Sequence, residues 1–106
     1  MNKQRMNKQQ MMNNQKKPIS HDIEIINKLG LHARAAAKFV STASGFSSHV
    51  DVEKNGQHIN GKSIMGVMML AAGKGSFITL HIDGDDAQAC ASALTNLINN
   101  RFDEEE

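Results

Sequence analysis

A period-two apolar pattern gives way to a helical one across a single glycine, Gly30. Before it, Ile19, His21, Ile23 and Ile25 fall on one face of an extended segment from Ile19 to Ile26, with Ile23 and Ile25 as the core-facing pair. After it comes His32-Ala33-Arg34-Ala35-Ala36-Ala37, the start of an alanine-rich run with strong helix propensity. Lys28 to Leu31 is therefore the turn from strand to helix, and His32 stands where the helix begins. At that point the first backbone N–H groups have no intrahelical partner and the helix dipole presents its positive end. Arg34 lies in the same first turn. An imidazole, a guanidinium and free N–H groups at one place suit a phosphoryl group.

The remaining elements follow in order. Residues 33–44 read as the first helix, with Ala36, Phe39, Val40 and Ala43 as its buried stripe and Gly45 as its stop. Ser47 to Glu53 alternates, Asn55-Gly56 is a hairpin turn signal, and His58-Ile59-Asn60 returns as a short strand. Ser63 is a good N-cap for a second helix running to about Ala72. That helix is apolar nearly all round. Val67 and Leu70 are expected to face the core, leaving Ile64, Met65 and Met68 as an exposed patch suited to docking a partner. Ser76 to Ile82 is the clearest strand, with Ile78, Leu80 and Ile82 inward. Asp85 and Asp86 open the last helix, where acids favour the dipole, and Ala87, Cys90, Ala91, Leu94 and Leu97/Ile98 form its buried stripe. The order strand, helix, strand, strand, helix, strand, helix predicts an α+β domain, with three helices covering one face of a four-stranded sheet.

Composition excludes several function classes. The 106 residues allow one small domain, and with no tryptophan or tyrosine and only four phenylalanines, aliphatic and methionine side chains must fill its core. Net charge is +1, but residues 1–18 hold five basic groups and no acid, whereas residues 19–106 hold 7 basic and 11 acidic ones. A folded part with that acidic excess is a poor nucleic-acid binder. The single cysteine, Cys90, rules out an internal disulfide and lies in a buried helical stripe. His21, His49, His58 and His81 lie on strands and read as surface residues; no pair has metal-ligand spacing on a helix, so no metal and no cofactor is expected. Without an apolar run long enough for a span or a signal peptide, a cytoplasmic, non-inserted protein is expected. Residues 1–18 read as a disordered basic tail closed by Pro18, residues 19–102 as the folded domain, and residues 103–106 as an acidic, solvated tail.

This element order, together with Gly30-Leu31-His32-Ala33-Arg34, resembles the HPr family of histidine phosphocarriers. The likeness runs over residues 19–102 and includes Gly45-Phe46, Lys62-Ser63-Ile64 and Gly84-Asp85. Within the family it is most similar to NPr, the carrier of the nitrogen-related phosphotransferase system, through Ile26-Asn27-Lys28-Leu29-Gly30, Met68-Met69-Leu70 and the acidic end after Phe102. The resemblance implies a βαββαβα open-faced sandwich with a four-stranded antiparallel sheet. It also implies a monomer whose His32 is phosphorylated on Nδ1 by an enzyme I-type protein, from phosphoenolpyruvate, and then donates to a histidine of a IIA-type protein. On that reading Arg34 stabilises the phosphoryl oxygens, and the chain is a substrate of its partners with no turnover of its own. The family usually carries proline where this chain has Ala35; alanine keeps the helix and restores one N–H donor.

Four other readings stand beside this one. Ser63 is either an ordinary N-cap or, as in some relatives, a target of regulatory phosphorylation. The chain could serve sugar transport, or act as a regulatory docking module without phosphate. Gly56-Gln57-His58-Ile59-Asn60-Gly61-Lys62-Ser63 fits the P-loop pattern, with an apolar strand ending in Asp83 behind it. However, the roughly 88 residues after Pro18 are too few for the parallel sheet a P-loop needs, and Asn55-Gly56 predicts a hairpin there.

Overall fold

The computed structural model describes residues 18–106; the basic segment read as a tail lies, but for Pro18, outside the described residues. Alternation sets the sheet. Strand β1 (Ile19–Glu24), β2 (His49–Lys54), β3 (Gln57–Asn60) and β4 (Phe77–Asp83) form one antiparallel sheet in the order β1-β4-β2-β3. Val50 pairs with Ile82, Val52 with Leu80, and Ile23 with Ile78, so the apolar residues of three strands meet on one face. Helices α1 (Ala33–Ser44), α2 (Ile64–Met69) and α3 (Ala87–Asn99) cover that face. The core joins Ile25, Val52, Leu80 and Ile82 of the sheet region to Phe39, Val67, Leu94 and Ile98 of the helices. Cys90 is buried among them, and burial raises its thiol pKa. The expected open-faced sandwich is the observed architecture.

Two local features differ from the sequence reading. Helix α2 ends at Met69, not near Ala72, because Ala71 takes a left-handed conformation at φ 51°. The residues so released serve the neighbouring loop: the Ala72 carbonyl accepts from the Leu31 N–H at 2.9 Å. The second difference is at the C-terminus. Asn100 is followed by a turn, Arg101–Asp103, whose three residues all have positive φ. That turn buries Phe102 fully and sends residues 104–106 back across the start of α1.

The hairpin between β2 and β3 turns on Asn55 and Gly56, at φ 52° and 85°, the geometry the Asn-Gly pair favours. Gln57–Asn60 is then a paired strand, and the Lys62 ammonium donates to the Phe46 carbonyl at 2.8 Å. Gly56 to Ser63 therefore forms a hairpin strand and helix cap in place of a phosphate-cradling loop, and the P-loop reading of this stretch does not hold. Asp86 stands at the N-terminus of α3, as expected. Its carboxylate, however, accepts from the N–H groups of Ser47 and Ser48, at 2.9 and 3.0 Å, and from the Ser48 hydroxyl. The Ser48 hydroxyl and the Ser47 N–H hold its pKa at about 2 against the opposing effect of burial.

Candidate functional site

Gly30 positions the site. It adopts φ +68°, and a Cβ there would lie 2.5 Å from the Ala72 carbonyl oxygen, so only glycine lets the turn approach the exit of α2 this closely. Leu31 follows into the core, and His32 becomes the N-cap of α1 with extended backbone. The first helical bond runs from the Ala36 N–H to the His32 carbonyl at 2.8 Å, leaving the N–H groups of Ala33, Arg34 and Ala35 without intrahelical acceptors. Ala35 is fully buried at the third helical position and packs into the core.

The imidazole of His32 is held from outside its helix. Its Nε2 contacts a carboxylate oxygen of Glu104 in a short hydrogen bond. The other oxygen of Glu104 accepts from the Asn27 amide at 3.0 Å, and the same amide donates to the Gly30 carbonyl at 2.8 Å. Asn27 is fully buried, so one side chain ties the strand-to-helix turn and the acidic residue to the histidine. Burial pushes the Glu104 carboxyl up. The hydrogen bonds from Asn27 and His32 and the Arg34 charge outweigh it, and the group stays ionised below its ordinary range.

This corrects the reading of residues 103–106 as a solvated end at one residue, Glu104; Asp103, Glu105 and Glu106 are exposed, as expected. The Glu104 side chain keeps only 16% of its exposure. The Lys28 N–H donates to the Glu106 carbonyl at 2.7 Å, and the Lys38 ammonium donates to the Phe102 carbonyl at 2.9 Å. Neither Asn27 nor Glu104 was identified from sequence. Asn27 had a weak signal, as a polar residue directly after a strand; Glu104 had none, because its place depends on a turn of three left-handed residues without a glycine. Arg34 is exposed and lines the same cleft as His32, together with Lys28 and Lys38. Lys28 pairs with Glu106 at 3.1 Å and Lys38 with Asp103 at 3.8 Å, whereas Arg34 forms no ion pair among the described residues.

Helix α2 presents the expected apolar surface. Ile64, Met65 and Met68 are 43%, 74% and 41% exposed, and Met69 extends the patch. The Ser63 hydroxyl accepts from the Gly66 N–H at 3.1 Å, so it occupies the N-cap role.

A family model described as "PTS HPr component phosphorylation site" matches residues 19–100. The chain belongs to the HPr family. It is 59% identical over 88 residues to the phosphocarrier protein HPr of Neisseria meningitidis, covering 83% of this chain and 99% of that one. To the HPr of Pseudomonas aeruginosa it is 57% identical over 86 residues, covering 80% and 96%. Among solved structures, HPr-C-His from Thermoanaerobacter tengcongensis superposes with a TM-score of 0.80 at 49% identity, over 83% of this chain and 99% of that chain. Its likeness to these carriers confirms the sandwich fold and the phosphocarrier function of the HPr family. Among the described residues, no helix is long and apolar enough to cross a membrane.

Proposed function

We propose that Nδ1 of His32 accepts a phosphoryl group from an enzyme I-type protein and passes it to a histidine of a IIA-type protein. The observation that carries this reading is the Glu104 carboxylate on Nε2. An ionised carboxylate can only accept, so Nε2 bears the proton and Nδ1 keeps the lone pair. Attack by Nδ1 forms a P–N bond as the donor's bond to phosphorus breaks. The ring then acquires positive charge, which Glu104 offsets through its hydrogen bond. The helix N-terminus and the guanidinium of Arg34, which has no ion pair among the described residues, face the transferred anion. A phosphorylated ring nitrogen remains a good leaving group, so the same arrangement serves the return step. Docking falls to Ile64, Met65 and Met68, beside the N-cap Ser63. A phosphate on Ser63 would put charge at the edge of that patch and repress transfer. The carrier acts in the cytoplasm as a monomer, its working unit being the domain 19–102 together with Glu104 of the acidic end that follows it.

The branch is read as nitrogen-related, from Ile26-Asn27-Lys28-Leu29-Gly30, Met68-Met69-Leu70 and the acidic end. The relatives' name, phosphocarrier protein HPr, favours the sugar branch as the second reading. Incubation with phosphoenolpyruvate and enzyme I of either branch, read by intact mass, tests both. One acid-labile phosphate, absent in His32→Ala and gained faster from the nitrogen-branch enzyme, is expected. Faster labelling by the sugar-branch enzyme would reverse the branch, and no label from either would sink the proposal.

A further inference from the structure

The face of the sheet that carries no helices holds a second cluster of titratable groups, separate from the His32 cleft. Strand register builds it. Ser20, His81, Asp51 and Asn60 form one row across the four strands, and Asp22, Thr79, Glu53 and His58 form the next. Contacts then run diagonally between the rows. His58 Nδ1 lies 2.7 Å from Asp51 Oδ2, and His81 Nε2 lies 2.8 Å from Glu53 Oε1. The two imidazoles stack with centroids 5.6 Å apart and planes 28° apart. One ligand atom each from Asp51, His58 and His81 lies within 4.8 Å of the others.

We propose that Asp51, His58 and His81 form a binding site for a divalent transition-metal ion of the zinc class. Two imidazoles and a carboxylate are a donor set that suits such an ion, and a fourth position stays open to water on this uncovered face. Glu53, already against His81, supplies a second negative charge, so the site offsets a dication. Asp51 and Glu53 stand two residues apart on the same face of β2 and repel. At present each is compensated by a hydrogen-bonded histidine; one cation among the four groups serves both. Ser20 supports the geometry from outside the ligand set. Its hydroxyl lies 2.9 Å from His81 Nδ1 and donates to it while Nε2–H donates to Glu53; when a cation takes the Nε2 lone pair the tautomer reverses and the same hydroxyl accepts the Nδ1–H.

The site has no part in the phosphoryl chemistry assigned to His32, so it can be tested separately. Zinc chloride is titrated calorimetrically into the untagged full-length chain. One ion per chain is expected, with a Kd below about 0.1 mM. His58→Ala and His81→Ala should abolish the saturable heat, Ser20→Ala should weaken it about tenfold, and His32→Ala should leave it unchanged. Histidine ring NMR signals give a second readout: His58 and His81 should shift with one equivalent of zinc, and His21 and His49 should not. Asp51→Asn, which preserves shape, replaces any histidine variant that fails to fold by circular dichroism. Absence of saturable binding up to about 1 mM zinc, or binding that survives in folded His58→Ala/His81→Ala, overturns the proposal.

Discussion

Replacing Gly30 by alanine tests how the turn that delivers His32 is built. Three costs can be read from the structure. Gly30 has φ +68°, and an alanine in the left-handed region costs about 1–2 kcal/mol. The new Cβ would lie 2.5 Å from the Ala72 carbonyl oxygen and 2.7 Å from Gly73 Cα; both are backbone, so the two segments must separate at about 1–3 kcal/mol. Separation strains the 2.9 Å bond from Leu31 to Ala72, worth about 1 kcal/mol. The sum is about 3–6 kcal/mol. Gly56→Ala is the matched control: it has φ +85° but no atom within 4 Å of an added Cβ, so it should cost only about 1–2 kcal/mol. Because a domain of this size loses about 4–8 °C in Tm per kcal/mol, calorimetric melting should put Gly30→Ala well below Gly56→Ala, by about 10 °C or more. Equal shifts in the two variants would refute the close approach of the turn to the α2 exit.

The other expectations concern capping, pH and docking. Ser63→Ala should lose the bond to the Gly66 N–H and about 1 kcal/mol of stability by urea titration; an unchanged midpoint would contradict the N-cap role. Asp86 has its pKa lowered to about 2, so its stabilisation is present above the ordinary carboxylate range and is lost as pH falls from about 4 through 2. The Tm gap between the native chain and Asp86→Asn should therefore be open at pH 7 and close towards pH 2; a gap constant with pH would count against the three hydrogen bonds. Met65 is 74% exposed, so Met65→Asp should change stability by about 0.5 kcal/mol or less. It should nonetheless raise the KM for phosphoryl transfer from enzyme I, and an unchanged KM would remove the patch from the docking surface.

The sequence was legible where a single element controls the outcome. Strand β4 alternates so regularly that Ile78, Leu80 and Ile82 could be assigned inward, and Ala33–Ser44 has the boundaries its composition sets. The exposed patch was also legible, since α2 carries more apolar side chains than one face can bury. Interactions between distant segments were not. The carboxylate on His32 comes from residue 104, delivered by a left-handed turn at Arg101–Asp103 that no glycine announces. Helix α2 stops early at a left-handed Ala71, which frees the Ala72 carbonyl for the Leu31 N–H, a tertiary contact that helix propensity does not announce. His58 and His81 read singly as surface residues; only the strand register, and the diagonal contacts across β2, bring them to Asp51 and Glu53.

The site of phosphate attachment tests the central claim most directly. The chain, with 15N-labelled histidine, is treated with phosphoenolpyruvate and enzyme I and followed by 1H–15N NMR of the ring nitrogens. One histidine of five should respond. Phosphorus coupling should appear on Nδ1 of His32, with Nε2 still protonated against Glu104. Coupling on Nε2, on any other histidine, or a phosphate stable to acid would contradict it.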